Sequence, residues 1–246
     1  MKKILTLIVA SMLALSSQSF AKDFGNYSVD LEVGGSANSW DSSGSDNNSA
    51  RFAGYADLDL VYRFNDAFSV TLENGVIEEE DENHDLAYSF EWYVTYQLNN
   101  FDINPGVFFS DTNNDVPADG NQQVSFAQLE VGYTIPNNGA RLSIEYSDEA
   151  SDGSTNGTDR WVETIVQYKA EKTFDAPFGY GKNLVTELVY TDFDNLRETY
   201  ALDLEYNITD NYGVGFVVGE NDGKGPFANN VGQNRDFADL RVFLKY

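Results

Sequence analysis

Residues 86–98 read Leu86-Ala87-Tyr88-Ser89-Phe90-Glu91-Trp92-Tyr93-Val94-Thr95-Tyr96-Gln97-Leu98. Every even position is apolar or aromatic, while Ser89, Glu91, Tyr93, Thr95 and Gln97 stand between them. A helix repeats every 3.6 residues, so side chains spaced by two would scatter around it; on a strand they share one face. The stretch is a strand with one greasy side and one polar side.

The same alternation recurs on either side of it. Upstream, Tyr27, Val29, Leu31 and Val33 alternate with Ser28, Asp30 and Glu32, and Phe52, Ala56, Leu58, Leu60, Tyr62 and Phe64 with Asp57, Asp59 and Arg63. A third strand carries Phe68, Val70, Leu72 and Val76. Downstream come Phe101, Ile103, Val107 and Phe109, then Ala127, Leu129, Val131, Tyr133 and Ile135, then Leu142, Ile144 and Tyr146. Two strands are mixed: Val162, Val166, Tyr168 and Ala170 lie opposite Trp161 and Ile165, and Leu184, Leu188 and Tyr190 opposite Val185 and Val189. The pattern recovers with Tyr200, Leu202, Leu204, Tyr206 and Ile208, and with Tyr212, Val214, Phe216 and Val218. The last strand sets Leu240, Val242, Leu244 and Tyr246 against Asp239, Arg241 and Lys245, with Phe243 the exception on the charged side. That makes twelve strands and no long helix.

The connections separate by length. Segments 35–50, 78–84, 111–122, 148–159 and 220–235 are long and polar, with 193–196 the short member of that set. The alternate links are tight: Asn65-Asp66-Ala67, Asn99-Asn100, Pro136 to Gly139 and Thr209-Asp210-Asn211, with 175–182 somewhat longer. Asn, Asp, Gly and Pro suit hairpin turns. Long loops at one end and short turns at the other characterise transmembrane barrels, the turns lying in the periplasm. The expected fold is all-β, a 12-stranded antiparallel transmembrane β-barrel over residues 22–246.

Residues 1–21 read as an export signal. Lys2 and Lys3 precede the apolar run Ile4 to Leu15, and Ser19-Phe20-Ala21 is a small-x-small cleavage site. The run is too short for a membrane helix, which needs about 20 residues. There is no cysteine, hence no disulfide framework. The formal charge is −25, and losing Lys2 and Lys3 makes it more negative still. Such a chain does not bind nucleic acid through its phosphates. Aromatics make up 14%, with 15 tyrosines, a supply suited to two interfacial girdles. Outer-membrane lipid and lipopolysaccharide are the expected surroundings.

With the apolar parity facing lipid, the other parity lines a bore. It carries Arg51, Arg63, Arg141, Lys169, Arg241 and Lys245. Its acids are more numerous. The first four strands supply Asp30, Glu32, Asp57, Asp59, Glu73 and Glu91. The middle strands supply Asp102, Glu130, Glu145, Glu163, Glu171 and Glu187, and the last ones Asp203, Glu205 and Asp239. Like charges along a pore wall bias which ions pass. Tyr55, Tyr93 and Phe108 share this face and offer stacking surfaces or simply fill space.

Catalysis has little support. His84, the single histidine, sits after the run Glu78, Glu79, Glu80, Asp81 and Glu82 with no activated serine motif beside it. Asp111, Asn113 and Asp115 copy the first calcium-loop spacings, but Val116 and Gln122 replace its glycine and terminal glutamate. No catalytic residue, metal ligand or cofactor is expected.

Pro105-Gly106 early on strand five, Arg160-Trp161 opening strand eight, and the style of the terminal strand resemble the KdgM-type oligosaccharide porins. The resemblance implies a monomeric 12-stranded channel with short periplasmic turns, in a family that passes acidic oligosaccharides along basic lumen tracks. This chain departs from that pattern in its mainly acidic inner face. The expected function is passive passage of small hydrophilic solutes, oligosaccharides among them, with cations or neutral solutes preferred. The alternative is a non-conducting structural or adhesion barrel with acidic surface loops.

Overall fold

A computed structural model describes residues 26–42, 51–79, 86–113, 122–152, 164–194, 197–223 and 235–245. The expected export segment, His84 with Glu80, Asp81 and Glu82, Asp115, Arg160, Trp161, Glu163 and Tyr246 lie outside the described residues, as do the side chains of Asp30, Arg51 and Lys245.

Twelve antiparallel strands follow one another in chain order. They are β1 (Tyr27–Ser42), β2 (Arg51–Asn65), β3 (Phe68–Glu79), β4 (Leu86–Leu98), β5 (Phe101–Asn113) and β6 (Gln122–Thr134). The second half holds β7 (Arg141–Asp152), β8 (Thr164–Asp175), β9 (Asn183–Phe193), β10 (Arg197–Asn207), β11 (Tyr212–Gly223) and β12 (Arg235–Lys245). Each strand pairs with its sequence neighbours, and β12 returns to β1 to close the barrel. That seam runs from Glu32 opposite Lys245 to Ser42 opposite Arg235. Closure leaves no sheet edge with unpaired backbone groups, which hydrocarbon could not tolerate.

Several strands run past the ends that alternation suggests. Residues 35–42, 111–113, 148–152 and 220–223, expected in loops, continue as strand. Gly35 to Ser42, for example, pair along β12 although both faces there are mostly polar or small. Alternation marks where a strand crosses an apolar medium. The hydrogen-bond ladder continues beyond it, because its bonds do not depend on side-chain polarity.

The packing is inside out. Among the described residues, the buried apolar side chains are Phe126 and Phe243 alone. Leu188, Leu240 and Val242 are each more than half exposed, with Phe90, Trp92, Tyr96, Ile144 and many more beside them. Each such side chain removed from water is worth about 1.5–3 kcal/mol. Two dozen left wet would forfeit tens of kcal/mol, more than a domain's net stability. The outer face is therefore built for an apolar surrounding. The mixed strands obey the same rule: Tyr168, Phe174 and Leu188 point outward, while Val185 and Val189 share the inner face with Glu187.

The turn chemistry is local. Asn99 takes a positive φ of 56° in the two-residue turn from β4 to β5, as asparagine does in tight hairpins. Between β6 and β7, Asn137 and Gly139 both have positive φ, and the amide of Ala140 donates to Asn138 Oδ1 at 2.8 Å. Thr209 Oγ1 accepts from the amides of Asn211 and Tyr212, both at 3.2 Å.

Two aromatic belts ring the outside. At the turn end, Tyr27 meets Tyr62 at 4.6 Å, Tyr62 meets Phe64 at 4.5 Å, and Phe64 meets Phe68 at 5.0 Å. At the loop end, Tyr168 meets Tyr190 at 5.9 Å and Tyr190 meets Tyr200 at 5.0 Å. Tyr88 and Tyr96 mark the two levels on β4. At about 3.3 Å per residue on a strand tilted about 40°, they stand roughly 20 Å apart in depth, close to the apolar band of such barrels at about 25 Å.

Candidate functional site

Because side chains alternate, the polar parity of every strand converges on the bore. Among the described residues, two cavities lie along it. The first, about 510 Å³, is lined from β3 to β8 by residues including Glu73, Glu91, Asn104, Glu130, Glu145 and Glu171. The second, about 320 Å³, gathers Glu32, Asp57, Asp59, Glu73, Glu91 and Phe108 from the first five strands, with Glu205 of β10 and Arg241 of β12. Residues so far apart around the sheet line one space because both look inward.

The β5–β8 wall is ion-paired. Arg141 on β7 reaches Asp102 on β5, Nη2 to Oδ2 at 2.5 Å and Nε to Oδ1 at 3.2 Å, and also bonds Glu130. Lys169 lies 3.5 Å from Glu130 and 3.4 Å from Glu145. Asn104 Nδ2 donates to Asp102 at 2.9 Å and Glu130 at 3.0 Å, and Ser143 Oγ donates to Glu130 at 3.2 Å. Three carboxylates share two cations, and neutral donors add further hydrogen bonds. Half-buried carboxylates need this company, since an unpaired one there loses its hydration without return.

Arg241 repeats the arrangement elsewhere on the wall. Its Nη2 donates to both oxygens of Asp203 on β10, at 2.6 and 2.7 Å. Each arginine spans a whole strand, and in each case the intervening strand offers a glycine. A Cβ on Gly132 would strike Arg141 and Asp102, and one on Gly215 would come within 2.9 Å of Arg241 Nε.

The β1–β4 wall is different. Tyr55 OH donates to Glu32 at 2.8 Å and Tyr93 OH to Glu73 at 2.7 Å, while Gln128 Nε2 donates to Glu91. These three donors are neutral hydroxyl and amide groups, unlike the guanidinium and ammonium of the β5–β8 wall. The ring of Tyr55 lies over Gly34, where a Cβ would collide with it. The second cavity thus has six carboxylates and one guanidinium on its wall.

The residues singled out from alternation separate accordingly. Glu91, Glu130, Arg141, Glu145 and Lys169 line the first cavity, and Asp57, Asp59, Glu205 and Arg241 the second. Asp203 is held by Arg241. Asp239 is on the inner face of β12, opposite Val217 and Asn38. Arg63 is set apart at the exposed turn end, where Nη1 reaches Ser28 Oγ at 3.4 Å. Glu163 lies outside the described residues. Alternation gives no reason to single out Asn104, Gln128 or the glycine shelves. Their inward parity was readable; that they sit beneath or between charged partners required the register. Phe126, at 6% exposure, stands opposite Phe108 on the inner face.

No protein-family model matches the sequence, and no curated protein sequence matches it. Among solved structures, a KdgM porin superposes with a TM-score of 0.52 at 13% identity, covering 87% of this chain and 98% of that one. The KdgM porin in complex with disordered oligogalacturonate gives 0.51 at the same identity and coverage. A Rhodopseudomonas blastica porin triple mutant is more distant, with a TM-score of 0.43 at 9% identity over 89% of this chain and all of that one. At such identities the likeness is one of fold: a porin-type barrel.

Proposed function

We propose that this chain is a monomeric outer-membrane channel for passive diffusion of small hydrophilic solutes, surrounded by lipid and lipopolysaccharide and working without a cofactor. The observation that carries the reading is the sidedness of the wall: apolar side chains outside, charged and amide side chains inside around open cavities. A water-filled lumen accounts for both faces at once.

Selectivity follows from the unequal walls. The arginine and lysine of the β5–β8 wall are already shared among carboxylates, so they offer little attraction to a passing anion. On the β1–β4 wall, Glu32 and Glu73 accept from the hydroxyls of Tyr55 and Tyr93, and acids outnumber the one guanidinium of the second cavity. One related structure is of a porin with oligogalacturonate; a polyanion of that kind meets the wrong sign here. Neutral oligosaccharides and small cations are the solutes that fit.

Planar bilayers under a salt gradient test this. The expected reversal potential has the sign of a cation-preferring pore, and clear anion preference overturns the charge argument. Liposome swelling with neutral sugars tests passage itself; uptake no faster than in empty liposomes supports the non-conducting structural barrel.

A further inference from the structure

Four of the five turn-end connections are short and polar, whereas the β8–β9 connection carries Phe178 and Tyr180. At 61% and 67% exposure these two exceed every other large apolar side chain among the described residues. The loop holding them is built. Ala176 N donates to Lys182 O at 2.8 Å, Gly179 N to Ala176 O at 2.9 Å, and Lys182 N to Asn207 O at 2.8 Å. Lys182 also pairs with Asp210 at 3.0 Å. Gly179 and Gly181 supply positive φ values of 76° and 77°.

The loop leans to one side. Tyr206 OH donates to Tyr180 O at 2.5 Å, and the Tyr206 ring meets Phe178 at 5.5 Å and Tyr180 at 6.1 Å. Tyr206 is on the outward parity of β10, in one row with Leu184 and, one strand further, Phe174. Lys172 extends over the Phe174 ring at 5.1 Å. The loop is therefore folded against the outer face and continues the turn-end aromatic belt.

We propose that residues 176–181 form an aromatic foot that inserts into the periplasmic leaflet at the depth of the phospholipid glycerol and phosphate groups. The inference rests on the membrane-barrel reading above. Aromatic rings favour that depth, where an apolar body meets a wet edge. Lys172, with its stem along Phe174, reaches toward the phosphates in the manner of a snorkelling lysine. The occupant is lipid because the patch is continuous with the lipid-facing belt and turned away from the bore.

The chain has no cysteine, so single cysteines can carry a nitroxide without background. Phe178→Cys, Tyr180→Cys, Lys182→Cys, Leu240→Cys and Asn138→Cys are labelled in phosphatidylethanolamine–phosphatidylglycerol vesicles. Collision with oxygen is compared with collision with a water-soluble nickel chelate. Labels at 178 and 180 are expected to be several-fold less nickel-accessible than the label at 138, and shallower than the one at 240. Nickel accessibility equal to that at 138 overturns the foot and leaves the patch to a periplasmic protein. Because a label replaces the aromatic it probes, the Lys182→Cys label is also read with Phe178→Ser and Tyr180→Ser added. Its nickel accessibility should rise several-fold, and no change overturns the proposal. A nickel-accessible label at 240 instead removes the membrane-barrel reading itself.

Discussion

Arg241 reaches Asp203 two strands away because Gly215, on the strand between them, has no side chain to stand in the path. Replacing Gly215 with leucine should break that bridge. Charge-assisted hydrogen bonds contribute about 1.5–3 kcal/mol when buried. Both side chains are a quarter to a third exposed, so solvent screening reduces the loss to about 1 kcal/mol. Urea unfolding from lipid vesicles measures it, and a double-mutant cycle with Asp203→Asn should find the two changes non-additive.

Gly34 leaves room for the Tyr55 ring in a similar way. Gly34→Leu should push the Tyr55 ring off its shelf and into the lumen, lowering single-channel conductance. Adding Tyr55→Ala should restore it. A conductance that stays low in the double variant would show that the ring is not the obstruction.

Removing charge from the β1–β4 wall should weaken cation preference. Asp57→Asn, Glu73→Gln and Glu91→Gln together are expected to move the reversal potential toward zero. One charge at contact distance in water is worth about 1 kcal/mol, roughly five-fold in a permeability ratio. Arg241→Ala should shift the potential the other way, since it removes the guanidinium from the second cavity.

Salt should reveal whether that preference comes from the wall. The Debye length is about 10 Å at 0.1 M and about 3 Å at 1 M. Cation selectivity is expected to be strong in dilute salt and to fade toward the bulk mobility ratio at 1 M. Selectivity unchanged over that range would point to a steric origin.

Leu240 lies on the outer face midway along β12, opposite Phe216 and Ala37. Leu240→Arg should destabilise the barrel by about 2–4 kcal/mol, the cost of a cation at the membrane midplane. Val217→Arg, facing the bore, should cost much less. Equal losses at the two positions would contradict the assignment of faces.

The faces, the strand count and the division of long and short connections were legible in the chain because one physical cause wrote them all. A wall between lipid and water must alternate with period two, and Leu86 to Leu98 could satisfy no other geometry. The partners of the charges were not legible. Arg141 meets Asp102 across 39 residues and Arg241 meets Asp203 across 38, distances fixed by strand stagger rather than by composition. Residues 35–42 were hidden for a different reason: Gly35, Ser36, Ala37, Asn38 and Ser39 are small or polar, so neither face advertises itself. The inward Phe243 was visible as a break in pattern, and its meaning came only with Gly213, whose missing side chain leaves room for its ring.

The seam between β1 and β12 has a consequence for how the barrel is made. Its partners, such as Val33 and Leu244, are nearly the whole chain apart, so this joint carries the largest loop-closure entropy in the molecule. Every other strand pair is a neighbour in sequence and can form early as a hairpin. Assembly should therefore pass through an open, curled sheet that waits with two raw margins, and whatever inserts the protein must shield those margins until the ring snaps shut.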